Sequence, residues 1–468
     1  MFIKQLYTGC LSEAAYFIES DGVAAVIDPL RDIETYLDLA RERNATIKYI
    51  FETHFHADFV SGHLDLSAAT KAPIVYGPNT TTSFPVHIAA DGEDFKIGKL
   101  TLRALHTPGH TIESTCYLLF DEKNEPHAIF TGDTLFVGDV GRPDLFSGDQ
   151  SKEELAAYLF ESLNTKIKTL PDHVIVYPAH GPGSACGKNL GPNTYSTIGD
   201  EKSTNYALLA ESREDFIRQV TEGLSTPPQY FPINAKINKE GYDALGTLME
   251  RSLQPLSIPD FKAKVKAGAV ILDTRNANVF TEGFVPGSVS IGLEGRFAEW
   301  AGSLLPFNKP LVLVTDAGQE QETITRLARV GFDKVEGYLE GGFENWKAAG
   351  EKIDMIISVD PDELAMDLPH DPNLVVVDVR KPAEYADGHI KGAVNITLSD
   401  LTDPAGSLAD FEDNHNLYVH CQGGYRSVIA CSIMKREGIH NLRNVNGGYG
   451  KMKDQKGLEV VQEKNVLN

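Results

Sequence analysis

Cysteine is scarce in this chain: five residues in 468, at Cys10, Cys116, Cys186, Cys421 and Cys431. The number is odd and no pair is spaced C-x-x-C. This argues against a disulfide framework and for free thiols in a reducing compartment, so a cytoplasmic location is expected. Positive charge is also short. Lys and Arg number 43 against 66 Asp and Glu, a net charge of −23. Nucleic acid is therefore not an expected partner, and the charge reads as a solubility feature. No apolar run approaches the ~18 residues of a membrane span. The start, Met1-Phe2-Ile3-Lys4-Gln5, lacks a signal-peptide pattern. Neither a membrane nor secretion is expected. Otherwise the composition, 42% apolar and 23% charged, is that of a globular protein. The length suggests about three domains at ~150 residues each.

What the chain does have is a dense polar cluster, Thr53-His54-Phe55-His56-Ala57-Asp58-Phe59-Val60-Ser61-Gly62-His63. It follows the apolar run Ile47-Lys48-Tyr49-Ile50-Phe51, which reads as a buried strand. A strand end feeding a short loop can aim several side chains at one point. Imidazoles and a carboxylate so aimed make a site for a borderline metal ion. Three later segments add to it. Thr107-Pro108-Gly109-His110-Thr111 places His110 in a tight turn. Phe130-Thr131-Gly132-Asp133-Thr134 places Asp133 at a strand end, and Val176-Tyr177-Pro178-Ala179-His180-Gly181 places His180 after a strand. Strands are expected over 23–29, 100–105, 114–120, 128–131 and 174–177, and a helix over 32–44. This mixture suggests two sheets with helices outside. The stretch 227–259 holds five prolines and reads as a connector.

From about residue 258 the chain repeats itself. Val270-Ile271-Leu272-Asp273-Thr274-Arg275 resembles Val375-Val376-Val377-Asp378-Val379-Arg380, and the two Asp-x-Arg units lie 105 residues apart. The same offset relates Gly283 to Gly388, Gly287 to Gly392 and Ile291 to Ile396. Two copies of one α/β domain with a parallel sheet are expected, each too long for a solenoid unit.

The histidine and aspartate segments resemble the metallo-β-lactamase superfamily, over about residues 1–250. The resemblance implies an αββα sandwich with the metal at one edge of the sheets. The family motif is H-x-H-x-D-H with later His, Asp and His ligands; here these are His54, His56, Asp58, His110, Asp133 and His180. Phe59 stands where the last motif histidine belongs, so a second metal position loses a ligand. Two histidines and one carboxylate with open positions form the facial triad of non-haem Fe(II) oxygenases. The branch of the superfamily that uses it is the persulfide dioxygenases. By that resemblance His54, His110 and Asp133 would hold a mononuclear Fe(II), while His56, Asp58 and His180 would hydrogen-bond the ligands or bound water. Zinc stays open from ligand type alone. Val140-Gly141-Arg142-Pro143-Asp144-Leu145 resembles that branch's Gly-Arg-x-Asp loop. There Arg142, with Asp144, could bind the carboxylate of a thiol cofactor, or the pair could clasp one another. Tyr177 and Cys186 are further candidate substrate contacts, Cys186 from the glycine-rich stretch 181–189. Cys10, Cys116 and Cys431 read as core thiols.

The strand-like Leu417-Tyr418-Val419-His420 runs into Cys421-Gln422-Gly423-Gly424-Tyr425-Arg426-Ser427, and a helix is expected after it. Backbone N–H groups around such a loop, and the helix N-terminus, favour a thiolate or persulfide anion. Arg426 adds a fixed positive charge for sulfite or thiosulfate oxygens. The loop resembles the C-x-x-x-x-R active loop of the rhodaneses, a sulfurtransferase family. In the middle copy the same offset puts Asp316 at the position of Cys421, in a loop without sulfur or arginine.

The expected organisation is therefore α/β throughout: a metallo-β-lactamase-like sandwich over 1–250, an inactive rhodanese-like domain over 258–355 and an active one over 358–468. The whole order resembles persulfide dioxygenase–sulfurtransferase fusions of sulfide detoxification. That resemblance implies oxidation of a small-thiol persulfide (glutathione, coenzyme A or bacillithiol type) by O2 to sulfite, and formation or use of thiosulfate at Cys421. The oligomeric state is left open, homo-oligomer included. The alternative is a glyoxalase II-like thioester hydrolase fused to a rhodanese.

Overall fold

The computed structural model describes residues 1–145, 150–188, 190–409, 411–412 and 414–463. The chain divides into two compact units. One comprises Met1–Leu248 with Leu327–Phe332, the other Met249–Arg326 with Asp333–Asn468.

The first unit holds two six-stranded sheets. One is ordered Phe2–Thr8, Glu13–Ser20, Val23–Ile27, Thr46–Phe51, Ile74–Tyr76, His87–Ile88. The other is ordered Ser196–Thr197, Ile175–Pro178, Pro126–Gly132, Thr115–Phe120, Leu100–His106, Asp94–Ile97. Tyr16, Ile18, Ile27, Phe51, Tyr117, Leu119 and Phe130 form the core between them. Every residue of Glu13–Ser20 and of Thr115–Phe120 is buried. Strands apolar on both faces need cover on both. Helices Glu34–Glu42 and His63–Thr70 supply it on one side, where Tyr36, Leu39 and Leu66 pack on Phe17 and Val26. Helices Lys152–Ser162 and Arg213–Thr221 supply it on the other, where Leu159, Phe216 and Val220 pack on Leu118, Ile129 and Val176. The result is an αββα sandwich. Among the described residues no helix is long and apolar enough to cross a membrane.

The expected connector is corrected. The stretch contains helices Phe231–Glu240 and Leu245–Ser252. Pro232 sits in the first turn, where its missing N–H has no intrahelical acceptor to lose. Cys10, expected in the core, is only half-buried.

The second unit holds two five-stranded sheets with parallel pairing. Their orders are Pro255–Leu256, Val335–Leu339, Leu311–Val314, Val270–Asp273, Val289–Ser290, and Ile357–Val359, Leu442–Val445, Asn416–His420, Leu374–Asp378, Val394–Asn395. The landmarks of the repeat occupy equivalent places. Arg275 Nε and Nη2 donate to the Asp273 carboxylate at 2.9 and 2.6 Å, and Nη2 donates to Gly283 O at 3.0 Å. Arg380 does the same with Asp378, at 3.0 and 2.6 Å, and with Gly388 O at 2.7 Å. Each Asp-x-Arg unit is thus a buried clasp joining a strand end to the helix end eight residues on. A bidentate, charge-assisted pair satisfies both ions in the interior.

Candidate functional site

The strand Val23–Ile27 ends at Asp28, whose carboxylate accepts from Thr53 N at 2.8 Å and from Thr53 Oγ1 at 2.9 Å. This anchors the start of the loop that carries His54, His56 and Asp58. The Thr53 hydroxyl proton is spent on Asp28, so the hydroxyl accepts from His54 Nδ1 at 2.9 Å and leaves His54 Nε2 a free lone pair. His110 Nδ1 lies 2.9 Å from Arg142 O, and His180 Nδ1 lies 3.2 Å from Ser12 O. A carbonyl only accepts, so these rings too present Nε2 lone pairs.

The lone pairs converge on Asp133. His54 Nε2 and His110 Nε2 lie 3.8 and 3.4 Å from Asp133 Oδ2, and His180 Nε2 lies 3.4 Å from Oδ1. His54, His110 and Asp133 each offer one ligand atom within 4.8 Å of the others, as do His56, Asp58 and His180. All six are buried. Neither Asp133 oxygen accepts an N–H or O–H bond, and both Asp58 oxygens and His180 Nε2 are without hydrogen-bond partners. Burial pushes His110 down to about 4 and Asp133 and Asp58 up to about 6. Buried acceptors aimed at one point with no proton among them fit a cation.

His56 turns its Nε2 the other way. Its Nε2 lies 3.0 Å from Asp28 Oδ1 and 3.5 Å from Glu52 Oε2. Burial acts to lower its pKa, but Asp28, Glu52 and Asp58 outweigh that and hold it at about 10. His56 is thus the cation of a buried carboxylate cluster. The Phe59 ring covers it, with centroids 4.3 Å apart.

The remaining sequence candidates fall as follows. Arg142 is 3% exposed and clasps Asp144 at 2.7 and 2.8 Å, with Ser225 O taking another N–H. Its guanidinium is therefore turned onto the chain itself, and the clasp stands in place of an open carboxylate clamp. Tyr177 stacks on Phe130, centroids 5.5 Å apart at 17°, and is half-buried against the core between the sheets. Cys186 is buried with its sulfur within ligand distance of Asp133 and His180, and burial pushes its thiol pKa well up.

Several site residues were not singled out from the sequence. Asp28 and Glu52 end neighbouring apolar runs, a weak signal for polar groups aimed at one site. Glu113 Oε1 accepts from Phe55 N at 3.0 Å. Asn238, fully buried, binds the metal loop three times. Its Nδ2 donates to His56 O and Phe59 O, both at 2.8 Å, and its Oδ1 accepts from Ser61 N at 2.9 Å.

In the second unit Cys421 follows the strand Asn416–His420 and precedes the helix Tyr425–Arg436. It is 1% exposed, and its Sγ accepts from Gly424 N at 3.1 Å. Gly448 lies against the loop at φ +53, where an added Cβ would stand 2.2 Å from Cys421 O. Only glycine allows that approach. Arg426 donates both guanidinium ends to Glu384, at 2.7 and 2.8 Å. An anion bound at this loop must share Arg426 with Glu384.

Residues 8–180 match the metallo-beta-lactamase superfamily, and residues 257–349 and 360–455 match the rhodanese-like domain. The chain is 32% identical to the probable hydroxyacylglutathione hydrolase glo2 of Schizosaccharomyces pombe, over 43% of this chain and 84% of that protein. It is 30% identical to persulfide dioxygenase ETHE1, mitochondrial, of Mus musculus, over 46% of this chain and 78% of that protein. Among solved structures it resembles a metallo-beta-lactamase from Staphylococcus aureus subsp. aureus COL. That match has 32% identity and a TM-score of 0.65, and covers 73% of this chain and 98% of the other. The chain belongs to the metallo-beta-lactamase superfamily, and two rhodanese-like domains follow its metallo-beta-lactamase fold.

Proposed function

We propose that this chain is a persulfide dioxygenase coupled to a sulfurtransferase. Residues 1–250 would carry the dioxygenase, 258–355 a rhodanese-like domain without a nucleophile, and 358–468 the sulfurtransferase. The carrying observation is Phe59 lying over His56 in place of the last motif histidine. It leaves His54, His110 and Asp133 as the two-histidine, one-carboxylate set that suits mononuclear Fe(II). Such an ion would supply the reaction of O2 with the outer sulfur of a small-thiol persulfide, giving sulfite. The similarity to persulfide dioxygenase ETHE1 supports this reading. The thiol carrier is of the glutathione, coenzyme A or bacillithiol type, and the protein is assigned to the cytoplasm.

The chain's own residues do the rest. Thr53, Arg142 O and Ser12 O fix the tautomers of His54, His110 and His180, so their Nε2 lone pairs need no reorganisation on binding a cation. Cys421 attacks the outer sulfur of a second persulfide, R–S–SH. The S–S bond breaks, RS⁻ leaves with the electron pair, and Cys421 becomes Cys–S–SH. The Gly424 N–H, 3.1 Å from Sγ, stabilises negative charge on that sulfur. The sulfur lone pair of sulfite then attacks the outer sulfur, thiosulfate forms, and the Cys421 thiolate is regenerated. The same atoms run in reverse with thiosulfate as donor. One chain carrying both sites raises the effective concentration of the shared sulfite.

A thioester hydrolase is the second reading. The trio His56, Asp58 and His180 and the similarity to hydroxyacylglutathione hydrolase glo2 favour it. It requires two metal ions and hydrolysis of an S-acylglutathione without O2. The test is product analysis with Cys421→Ser. The coupled reading expects persulfide and O2 to yield free sulfite and no thiosulfate. Thiosulfate formed as fast as in the wild type overturns the role of Cys421.

A further inference from the structure

The cysteine loop opens onto a cavity of about 310 Å³ built from both rhodanese-like copies. Gly423, Gly424 and Tyr425 line it from the cysteine side. Thr274, Glu294 and Asp316 line it from the other copy. The Tyr425 hydroxyl ties the two together by donating to Gly292 O at 3.0 Å. A second, more open cavity of about 640 Å³ shares Gly423, Asn446, Gly447 and Asn278 with the first. The space against the Gly423–Tyr425 end of the cysteine loop is therefore of the size that takes a ligand of many atoms, far more than thiosulfate fills.

The charge of the cavity is as informative as its size. Asp316 stands where the repeat places Cys421 in the other copy, and Glu294 lies on the same wall. No lysine or arginine is among the residues lining the first cavity, while Lys451 lines the second. Among the described residues neither Asp316 nor Glu294 is held in an ion pair. Thr274, 1% exposed, lines the same wall, and its Oγ1 has no hydrogen-bond partner. A buried hydroxyl left unsatisfied at a cavity wall is a place for a ligand polar group.

We propose that the nucleophile-free copy selects the sulfur donor of Cys421. The preferred donor is an organic persulfide of about peptide size that carries an ammonium group, with the ammonium against Asp316 and Glu294. This rests on the sulfurtransferase reading of Cys421 and deepens it. Two carboxylates attract a cation and repel an anion, an effect that weakens as salt is raised. Phosphate-bearing thiols and small inorganic dianions are the disfavoured donors. The transfer itself is unchanged: Cys421 takes the outer sulfur, the S–S bond breaks, and the organic thiolate leaves with the electron pair. The copy that lacks a nucleophile acts as the recognition wall of the other.

The test is persulfide transfer to Cys421 in the full chain, followed by mass spectrometry. Three donors are compared: glutathione persulfide, the same persulfide N-acetylated at its amino group, and thiosulfate. The expected result is a KM at least fivefold lower for the free amine than for the N-acetylated donor. Asp316→Asn combined with Glu294→Gln should abolish that ratio and lower the KM for thiosulfate, with kcat little changed. Equal KM values for the two persulfides, with Cys421 still modified, overturn the inference and leave the sulfurtransferase reading standing. A ratio that survives the double substitution assigns recognition elsewhere and also overturns it. If no donor modifies Cys421, the sulfurtransferase reading falls and the inference falls with it. Both substituted side chains are exposed, and an unchanged thermal unfolding midpoint shows that the variant is folded.

Discussion

The ring of Phe59 lies over that of His56, centroids 4.3 Å apart with planes tilted by 31°. Phe59 is fully buried, and His56 turns its Nε2 to Asp28 and Glu52. An aromatic face over an imidazolium is a favourable contact. It packs against His56 beside that carboxylate cluster and itself offers no metal-binding donor.

Metal content follows from that contact. The wild-type chain should take up one Fe(II) per chain, measured by elemental analysis after anaerobic loading. Phe59→His should raise the content toward two ions per chain when zinc is offered. Two ions in the wild type would favour the hydrolase reading.

Asn238 holds the loop on which His54, His56 and Asp58 sit. Asn238→Ala orphans two carbonyls and one N–H in the interior, at about 1–3 kcal/mol for a buried group left unsatisfied. Allowing for relaxation, a loss of about 2–4 kcal/mol is expected from the first unit, with weaker metal retention. Urea unfolding followed by hydrogen exchange in the strand Thr46–Phe51 measures the first, and chelator competition the second.

His63 gives a signed pH dependence. It is buried beside Glu52, 3.6 Å away, and burial lowers its pKa to about 3. In the unfolded chain it titrates near ~6.5. Below that pH the unfolded state takes up a proton that the folded state refuses, so folding loses stability as pH falls from about 6.5 toward 3. The slope from this one group is about 1.4 kcal/mol per pH unit. His63→Gln should flatten the pH dependence of unfolding by one proton between pH 6 and 4. An unchanged slope would contradict a neutral buried His63.

Glu384 competes for Arg426. Arg426 holds Glu384 below the usual carboxylate range, chiefly through the side-chain hydrogen bonds between them. The pair is partly exposed, so it is worth ~0.5–1 kcal/mol. Glu384→Gln frees the guanidinium for an anionic donor and should lower the KM for thiosulfate by roughly two- to fivefold. A KM that rises instead would show that Glu384 serves to orient Arg426.

Much of the architecture was legible because it is written in strong local signals. The offset from Asp273 to Asp378 marked two copies of one sheet, and the clasps with Arg275 and Arg380 explain why those residues carry the repeat. His54, His110 and Asp133 were legible as candidates because each ends a strand or sits in a turn. The helix Phe231–Glu240 is hidden in the sequence by the prolines around it, yet Pro232 stands where a helix tolerates it best. With that helix went Asn238, whose partners lie 177 to 182 residues away. The roles of Arg142 and Tyr177 depended on where their side chains turn, which pattern alone does not encode. In the structure Arg142 turns to Asp144 and Tyr177 stacks on Phe130.

Oxygen consumption by the Fe(II)-loaded full chain on addition of glutathione persulfide tests the central claim most directly. The account predicts rapid uptake with sulfite and thiosulfate as products, lost in His54→Ala, His110→Ala and Asp133→Ala. No uptake with any thiol persulfide, together with O2-independent hydrolysis of an S-acylglutathione, would contradict it.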